Sequence, residues 1–290
     1  MTVWIALGLG VLIGAFLGAL GGGGAILTVP ALVYLLHQTA QDATTSSVII
    51  VGAAAVTGMI GYARSGHVRW RLGLVFGAAG ILTAYAGTAL DRQVDQHCLL
   101  IGFAAVTLAA ATAMLLRSPT RTEVSAEPVP VTAGTAPIPL VGDTAGDPPA
   151  AGVSTDPALP GFPRWFARPA VKIILAGLGV GFLTGFFGVG GGFVIVPALV
   201  LLFGLPMPVA AATSLLIIAV NSVVSLAARV STAHFNWSII VPFTIAAMTA
   251  SLAGKLIAGR LPDKILTRTF AVLLIAIGVF VAVQNITQLA

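Results

Sequence analysis

Long apolar stretches separated by short polar segments dominate this chain. Eight of them have the roughly 17 to 25 residues that a helix needs to span the hydrocarbon core of a bilayer. These eight are Val3–Leu20, Thr45–Tyr62, Trp70–Leu90, Cys98–Leu116, Val171–Phe187, Val209–Ala228, Trp237–Ala258 and Thr267–Val283. Two shorter apolar runs, Ala25–Leu36 and Phe193–Phe203, each follow a cluster of glycines. Polar and apolar residues do not alternate as in barrel strands, so the pattern predicts an all-α membrane protein with eight long spans plus two short helices.

The chain carries this pattern twice. Shifting the sequence by 167 positions aligns Gly14–Leu32 with Gly181–Leu199, including the glycine clusters and the Val-Pro-Ala-Leu motif that follows each of them. The alignment continues without a gap and pairs Ser47 with Ser214. In a membrane protein, matched apolar segments that glycines interrupt at the same place in both halves point to the binding site of a transporter.

The duplication predicts three regions. Residues 1–116 form a first transmembrane repeat, residues 117–169 a linker, and residues 170–290 a second transmembrane repeat. The linker is rich in Pro, Ala, Gly and Thr and lacks helical periodicity, which is typical of a flexible segment.

Basic residues predict the orientation in the membrane. If each glycine-broken segment, such as Val3–Leu36, leaves one membrane face and returns to it, the 14 Lys and Arg divide twelve to two between the sides. If each such segment crosses once, the division is nine to five. The positive-inside rule favours the first arrangement, with the linker in the cytoplasm and both termini outside the cytoplasmic membrane. The halves are then inverted repeats, an architecture used for alternating access.

The length of the short apolar runs favours the same arrangement. The 12 residues of Ala25–Leu36 would reach about 18 Å as a helix, whereas the hydrocarbon core is roughly 30 Å thick. The glycine-rich start of this run is therefore expected to lie inside the membrane.

Composition excludes several classes of function. The chain is 58% hydrophobic and only 8% charged, with a mean hydropathy of +1.04, whereas soluble domains contain about 25% charged residues. The net charge of +5 therefore reflects basic loops beside the lipid bilayer, and we predict no nucleic-acid partner. The sequence has no Ser/His/Asp cluster, no H-E-x-x-H and no Walker motif, and the single Cys98 excludes an intrachain disulfide. We predict no enzymatic activity, no cofactor and no metal site.

Each glycine cluster is a candidate anion site. Glycine permits positive φ and close backbone approach, and the helix that follows presents unpaired N–H groups and the positive end of its dipole. Such a site suits an oxyanion. The candidate residues are Gly21, Gly22, Gly23 and Gly24 in the first half and Gly188, Gly190, Gly191 and Gly192 in the second.

Close helix packing is the alternative explanation for glycines in a membrane protein. We assign packing to the glycines at four-residue spacing before each cluster, which are Gly14, Gly18, Gly181 and Gly185.

Polar side chains near the clusters are further candidates. Ser46 and Ser47 match Thr213 and Ser214 in the other half, near the start of the next predicted helix. These hydroxyls are predicted either to cap that helix or to donate to a bound anion. Asn221, the most polar residue inside a predicted span, is predicted to bind substrate or to make an interhelical hydrogen bond.

The acidic residues indicate the charge of the cargo. All nine fall in predicted loops, in the linker or at helix ends. No buried carboxylate is expected as a proton relay or cation site, which favours an anionic cargo and leaves the coupling ion open.

The glycine-rich element followed by Val-Pro-Ala-Leu, the Ala-Thr-Ser-Leu motif at Ala212–Leu215 and the basic loops together resemble the TauE/SafE family of sulfite exporters. The resemblance covers roughly residues 3–116 and 170–286, and Gly188–Leu199 is its most specific part. It implies a permease for sulfite, sulfoacetate or related organosulfonate anions.

We therefore expect a membrane transporter that moves a small sulfur-containing oxyanion across the cytoplasmic membrane by alternating access. The alternatives are an anion channel built on the same donors and a non-transporting membrane scaffold subunit. Small-residue helix faces also allow a homodimer.

Overall fold

A computed structural model describes residues 2–36, 38–91, 96–116, 169–187, 192–229 and 237–287 of the protein. These residues form ten α-helices, and a π-helical segment at Ala31–Leu35 continues the second of them. The helices are α1 (Thr2–Leu20), α2 (Gly23–Pro30), α3 (Ala40–Ala63), α4 (Trp70–Asp91), α5 (Gln96–Leu116), α6 (Pro169–Phe187), α7 (Gly192–Phe203), α8 (Met207–Arg229), α9 (Trp237–Ala258) and α10 (Asp263–Thr287). The predicted all-α class is confirmed, and α1 to α5 correspond in order to α6 to α10. Residues 117–168 of the predicted linker lie outside the described residues, and its last residue, Pro169, begins α6.

Several helices are suited to a bilayer. In the part of the chain that the structure describes, four are long and apolar enough to cross a membrane: Asp42–Ala63, Met207–Ala227, Trp237–Ala258 and Asp263–Val283. Five shorter apolar helices accompany them, at Trp4–Leu20, Gly23–Val33, Ile101–Leu116, Val171–Phe186 and Gly192–Phe203. Large apolar side chains such as Leu82, Leu256 and Val272 project outwards, as expected where lipid surrounds the protein. The count of eight spans stays a prediction.

The helices α3 and α8 begin earlier than the apolar runs indicate. The hydroxyl of Thr39 caps α3 by accepting the Asp42 amide at 3.2 Å. At the start of α8, the Asp263 carboxylate accepts a hydrogen bond from the amide of Met207, the first helical residue, at 2.6 Å. The prediction that Ser46, Ser47, Thr213 and Ser214 cap these helices is therefore wrong, because one or two helical turns separate them from the first helical residue.

The main helix packing joins one half of the chain to the other. α1 lies along α9, and α6 lies along α4. A Cβ added at Gly14 would overlap the backbone of Ala247, and one added at Gly181 would overlap the backbone of Gly80. The shift of 167 positions maps Gly14 to Gly181 and Gly80 to Ala247, so each contact is the repeat equivalent of the other. Gly18 and Gly185 make equivalent contacts one turn further on, so the prediction that these glycines pack helices is confirmed.

The contacts also define helix directions. Along α1 and α9 the contacting residue numbers rise together, so these helices are parallel, as are α4 with α6, α4 with α8 and α3 with α9. By contrast, α3 and α8 are antiparallel, because Gly52 lies against Ser222 whereas Gly58 lies against Leu215. Therefore α1, α3 and α9 run in one direction, and α4, α6 and α8 run in the other.

Buried hydrogen bonds connect the packed helices. The Ser251 hydroxyl of α9 donates to the Ala54 carbonyl of α3 at 3.0 Å, and the Tyr62 hydroxyl of α3 donates to the Gly18 carbonyl of α1 at 3.0 Å. These bonds hold α1, α3 and α9 together as one group. If one of them broke, the polar group would have no water to bond inside the apolar bundle.

Replacing Gly14 with Ala is expected to destabilise the protein, because the new methyl group forces α1 away from α9; overpacking of this kind costs about 1 to 3 kcal/mol. Gly8 lies on the same helix with nothing within 4 Å of its added Cβ, so Gly8→Ala is the matched control. Thermal unfolding of both variants in detergent measures the difference, and equal midpoints would contradict the packing assignment.

Candidate functional site

The first glycine cluster reverses the chain. α1 ends at Leu20 and α2 begins at Gly23, and between them Gly21 has φ +81°, a conformation that favours glycine. Gly24 then lies against Leu17 and next to the Ile13 carbonyl, both in α1. α2 therefore folds back along α1 as a hairpin, which is the geometry that a segment entering and leaving by one membrane face requires.

The N-terminus of α2 presents backbone donors. Gly22 occupies the N-cap position, and no side chain caps the helix. The first amides of a helix have no carbonyl one turn earlier to bond, and the positive end of the dipole lies beside them. Gly23 and Gly24, expected to precede the helix, form its first turn instead, because the tight packing of Gly24 on α1 outweighs the weak helix propensity of glycine.

The glycine breaks of the two halves touch each other. Gly22 lies so close to Gly192 that a Cβ on Gly22 would overlap the Gly192 carbonyl. A Cβ added at Gly21 would likewise overlap the backbone of Ala211 and the hydroxyl of Ser214. The structure thus brings together four predicted residues, Gly21, Gly22, Gly192 and Ser214, and this group is the glycine junction.

The remaining clustered glycines divide into two groups. Gly188, Gly190 and Gly191 lie outside the described residues. Gly23 packs against α10, where its added Cβ would lie 2.8 Å from a methyl group of Leu273. Because Gly24 packs on the α1 backbone, a bulky residue at Gly24 would disturb the hairpin itself and is a poor test of ligand binding.

The candidate hydroxyls are all buried but differ in their partners. Ser214 donates to the Ala211 carbonyl at 2.8 Å, and Ser47 makes the equivalent bond to the Thr44 carbonyl at 2.7 Å. The Ser46 hydroxyl is buried without a hydrogen-bond partner. Of these side chains, Ser214 is the one whose hydroxyl lies in the glycine junction.

Thr213 has a structural role. Its hydroxyl donates to the Val209 carbonyl at 2.7 Å and accepts the Arg69 amide at 3.3 Å. It therefore fastens the start of α4 to the second turn of α8, and its donor is already in use.

Asn221 lies in a separate crevice, two turns beyond Ser214 along α8. The crevice is small and partly open, with about 10 Å³ of space for a water-sized molecule, and its other lining residues are Phe76, Gly77, Gly80, Val180, Gly181, Thr184, Ile195 and Ile217. The Oδ1 atom of Asn221 is buried and has no hydrogen-bond partner. The Oδ1 atom therefore makes no interhelical hydrogen bond, and a substrate contact by Asn221 stays a prediction.

Thr184 is the polar residue of this crevice that the sequence did not single out. Threonine is common in membrane helices, so its presence in a span carries no signal by itself. The signal lies in the comparison of the halves, because the position equivalent to Thr184 is occupied by Leu17.

The strain at Gly21 leads to a stability prediction with an internal control. Gly21→Ala combines a left-handed backbone with overlap on Ser214 and Ala211, whereas Gly66 has φ +72° and nothing within 4 Å of its added Cβ. Gly66→Ala should cost about 1 to 2 kcal/mol from the backbone alone, and Gly21→Ala clearly more. Thermal unfolding of the two variants measures the excess, and its absence would mean that the glycine junction is not tightly closed.

Comparison with known proteins gives a consistent result. The sequence profile of the family described as "Sulfite exporter TauE/SafE" matches residues 6–281. A "Probable membrane transporter protein" of Xylella fastidiosa strain Temecula1 is 29% identical over 280 residues, covering 96% of this chain and 94% of that protein. The "Probable membrane transporter protein YunE" of Bacillus subtilis strain 168 is 25% identical over 285 residues, covering 96% of each chain. No solved structure matches the chain. With a profile match across both halves and full-length relatives that carry the name of membrane transporters, this chain belongs to the TauE/SafE family of membrane transporters.

Proposed function

We propose that this protein carries a small sulfur-containing oxyanion, sulfite or an organosulfonate, across the cytoplasmic membrane by alternating access. The observation that carries the proposal is the glycine junction, where the interrupted helices of both halves meet beside a buried serine. Interrupted helices that meet inside a membrane protein are the usual place for substrate binding in transporters. The description of the family names sulfite.

The chemistry of the junction suits an anion. The uncapped N-terminus of α2 supplies backbone N–H groups and the positive end of a helix dipole. The Ser214 hydroxyl, now bonded to Ala211, can turn to donate to a ligand. The described acidic residues lie at helix ends, with Asp42 and Asp263 in first helical turns and Asp91 as the last residue of α4, so none of them lies in the middle of a helix beside an anion in the bundle.

Helix directions support inverted repeats. Repeats of the same orientation would place the equivalent helices α3 and α8 parallel, whereas these helices are antiparallel. Inverted repeats also require α3 to run parallel to α9 and α4 parallel to α8, as they do.

The position of Lys255 supports the proposed orientation. Its ammonium group donates to the Ser65 hydroxyl at 3.0 Å, so the end of α9 lies on the same side as the loop that carries Arg64 and Arg69. Single crossings of the glycine-broken segments would have separated these basic residues. We therefore assign this side to the cytoplasm and both termini to the outside.

The packing suggests how access alternates. The α1–α2 hairpin is held against α9, and α7 follows α6, which is held against α4. The Gly22–Gly192 contact lies between these two groups of helices and closes the junction. Movement of one group against the other opens the junction to one side at a time, and substrate binding shifts the balance between the two states.

Flux measurements test the proposal. Purified protein in liposomes should transport labelled sulfite or sulfoacetate at a rate that saturates with substrate concentration at a low turnover number. The flux through a channel would not saturate at so low a turnover number. Ser214→Ala should weaken the apparent affinity by about 10- to 150-fold, because a hydrogen bond to a charged group contributes about 1.5 to 3 kcal/mol. Thr249→Ala is the matched control, since this exposed threonine makes the same kind of local bond, to Ala246 at 3.0 Å. Absence of flux for every sulfur oxyanion in folded protein, or equal affinities of the two variants, would contradict the proposal.

Thiol accessibility tests alternation itself. In a Cys98→Ser background, Ser214→Cys should react with a membrane-impermeant methanethiosulfonate reagent added to either side, because each state exposes the junction to one side. Sulfoacetate should slow the reaction from both sides, since it occupies the same space. Reaction from one side only, with or without sulfoacetate, would rule out alternation at this residue.

A further inference from the structure

An arginine lies on the outward face of α10, inside a segment of membrane-spanning length. Arg268 is exposed, as is Lys264 one helical turn before it. On the same face Ile265 and Val272 are 46% and 60% exposed, since residues three and four apart are neighbours on a helix surface. Along α10, Arg268 is therefore flanked by apolar side chains that face the surroundings of the protein.

The depth of Arg268 follows from its place in the span. The apolar segment Asp263–Val283 has 21 residues, which is about 31 Å of helix and matches the hydrocarbon core of roughly 30 Å. Arg268 comes five residues after Asp263, so its Cα lies about 7 Å along the helix axis from the start of the span. A guanidinium is unfavourable in contact with hydrocarbon at that depth and extends towards the membrane surface.

The direction of α10 brings two cations to the same membrane surface. Cα–Cβ bonds tilt towards the N-terminus of a helix, and the N-terminal end of α10 is the end of the span closer to Arg268. Lys264 and Arg268, four residues apart on one face, are therefore directed to one place among the lipid headgroups. The neighbouring carboxylate of Asp263 is directed to α8 instead, where it accepts the Met207 amide at 2.6 Å.

The first half of the protein has an apolar residue in the equivalent place. The shift of 167 positions maps Arg268 to Ile101 of α5, whose side chain is 57% exposed. The repeated scaffold thus accepts an outward aliphatic side chain here, and its packing requires no cation. A charge at such a position is explained by a partner of opposite charge outside the chain.

We propose that Lys264 and Arg268 bind the headgroup phosphate of an anionic phospholipid such as phosphatidylglycerol. A guanidinium donates two parallel hydrogen bonds to a phosphate, and the ammonium group four residues earlier adds a second positive charge. Basic residues at the membrane boundary attract anionic lipids in this way. A zwitterionic headgroup binds less tightly, because its own cation offsets the charge of the phosphate. The acyl chains of the bound lipid cover Ile265 and Val272.

The bound lipid acts on the glycine junction through α10. Phe270 and Leu273 of α10 lie against Gly23 in the first turn of α2. The Asp263 carboxylate, at the start of α10, holds the start of α8, the helix that carries Ser214. A headgroup that fixes the start of α10 therefore stabilises two elements of the junction. This effect on transport rests on the proposed function, whereas lipid binding does not.

Native mass spectrometry tests the binding. Wild-type protein in detergent with equal amounts of phosphatidylglycerol and phosphatidylcholine should retain phosphatidylglycerol. Arg268→Leu should weaken this binding by about tenfold or more, because it removes hydrogen bonds to a charged group. Arg71→Leu is the matched control, since it removes the same charge from an exposed position at the start of α4, and it should retain the lipid as wild type does.

Two outcomes of this measurement would overturn the proposal. One is equal retention of phosphatidylglycerol by wild type and Arg268→Leu. The other is a loss of dimer mass in Arg268→Leu without a change in lipid retention, which would assign this face to a second copy of the chain.

Thermal unfolding identifies the source of the phosphate. Phosphatidylglycerol should raise the unfolding midpoint of wild type by about 3 °C or more over phosphatidylcholine, because the lipid binds the folded state. Arg268→Lys should keep part of this rise, and Arg268→Leu should lose it. Inorganic phosphate at constant ionic strength should not reproduce the rise, because it has no acyl chains to contact α10. A rise with inorganic phosphate alone, or equal midpoints in the two lipids for wild type, would overturn the lipid assignment.

Flux in liposomes then tests the effect on transport. Anion flux by wild type should increase with the fraction of phosphatidylglycerol in phosphatidylcholine vesicles, and Arg268→Leu should lose this dependence. Lipid retention without any anion flux would overturn the transport proposal while the lipid site stands. Anion flux that ignores the phosphatidylglycerol fraction would overturn the link between the lipid and the glycine junction.

Discussion

Backbone contact between helices from opposite halves is the constraint on which the rest of this structure depends. α1 meets α9, and α6 meets α4, at positions where any side chain larger than hydrogen would separate the helices. A bilayer offers no water to hydrogen-bond an interrupted helix, so such interruptions are tolerated only where protein encloses them. The crossed packing supplies that enclosure, because it positions the buried first turns of α2 and α7 inside the bundle.

The two halves share this scaffold but not its chemistry. The contact that Gly14 makes is the repeat equivalent of the contact that Gly181 makes. The local hydrogen bond of Ser47 is likewise equivalent to that of Ser214. The crevice around Asn221 has no such equivalent. The two halves therefore share a symmetric packing scheme, and divergence placed Asn221 and Thr184 in one half where Ala54 and Leu17 stand in the other.

Much of the architecture follows from apolar spacing and the repeat. The helices and the positions of their interruptions were predictable, because glycines stand at matched places in two apolar runs. The choice of α9 as the partner of α1 was not, since small residues at four-residue spacing fit many helix faces. The start of α3 was missed because only the apolar run was considered. Thr39 and Asp42, whose side chains bond at 2.7 Å, stand before that run in the order of an N-terminal capping signal.

The candidate site was predictable in part for a related reason. Gly21, Gly22, Gly192 and Ser214 were identifiable as interruptions and nearby hydroxyls, but their contact depends on the folding back of α2 and the crossed packing. The crevice oxygens of Asn221 and Thr184 lie 37 residues apart in sequence. Only three-dimensional packing reveals that they share one space.

The crossed packing also affects how the protein is made. Gly14 finds its partner Ala247 only after 233 further residues have been synthesised, which takes roughly 10 to 50 s at typical translation rates. During that time the glycine face of α1 has no protein surface to cover it, and lipid or the insertion machinery must shield it. A nascent chain that ends before α9 therefore leaves α1 without its partner, so the packing of the first half is completed only late in synthesis.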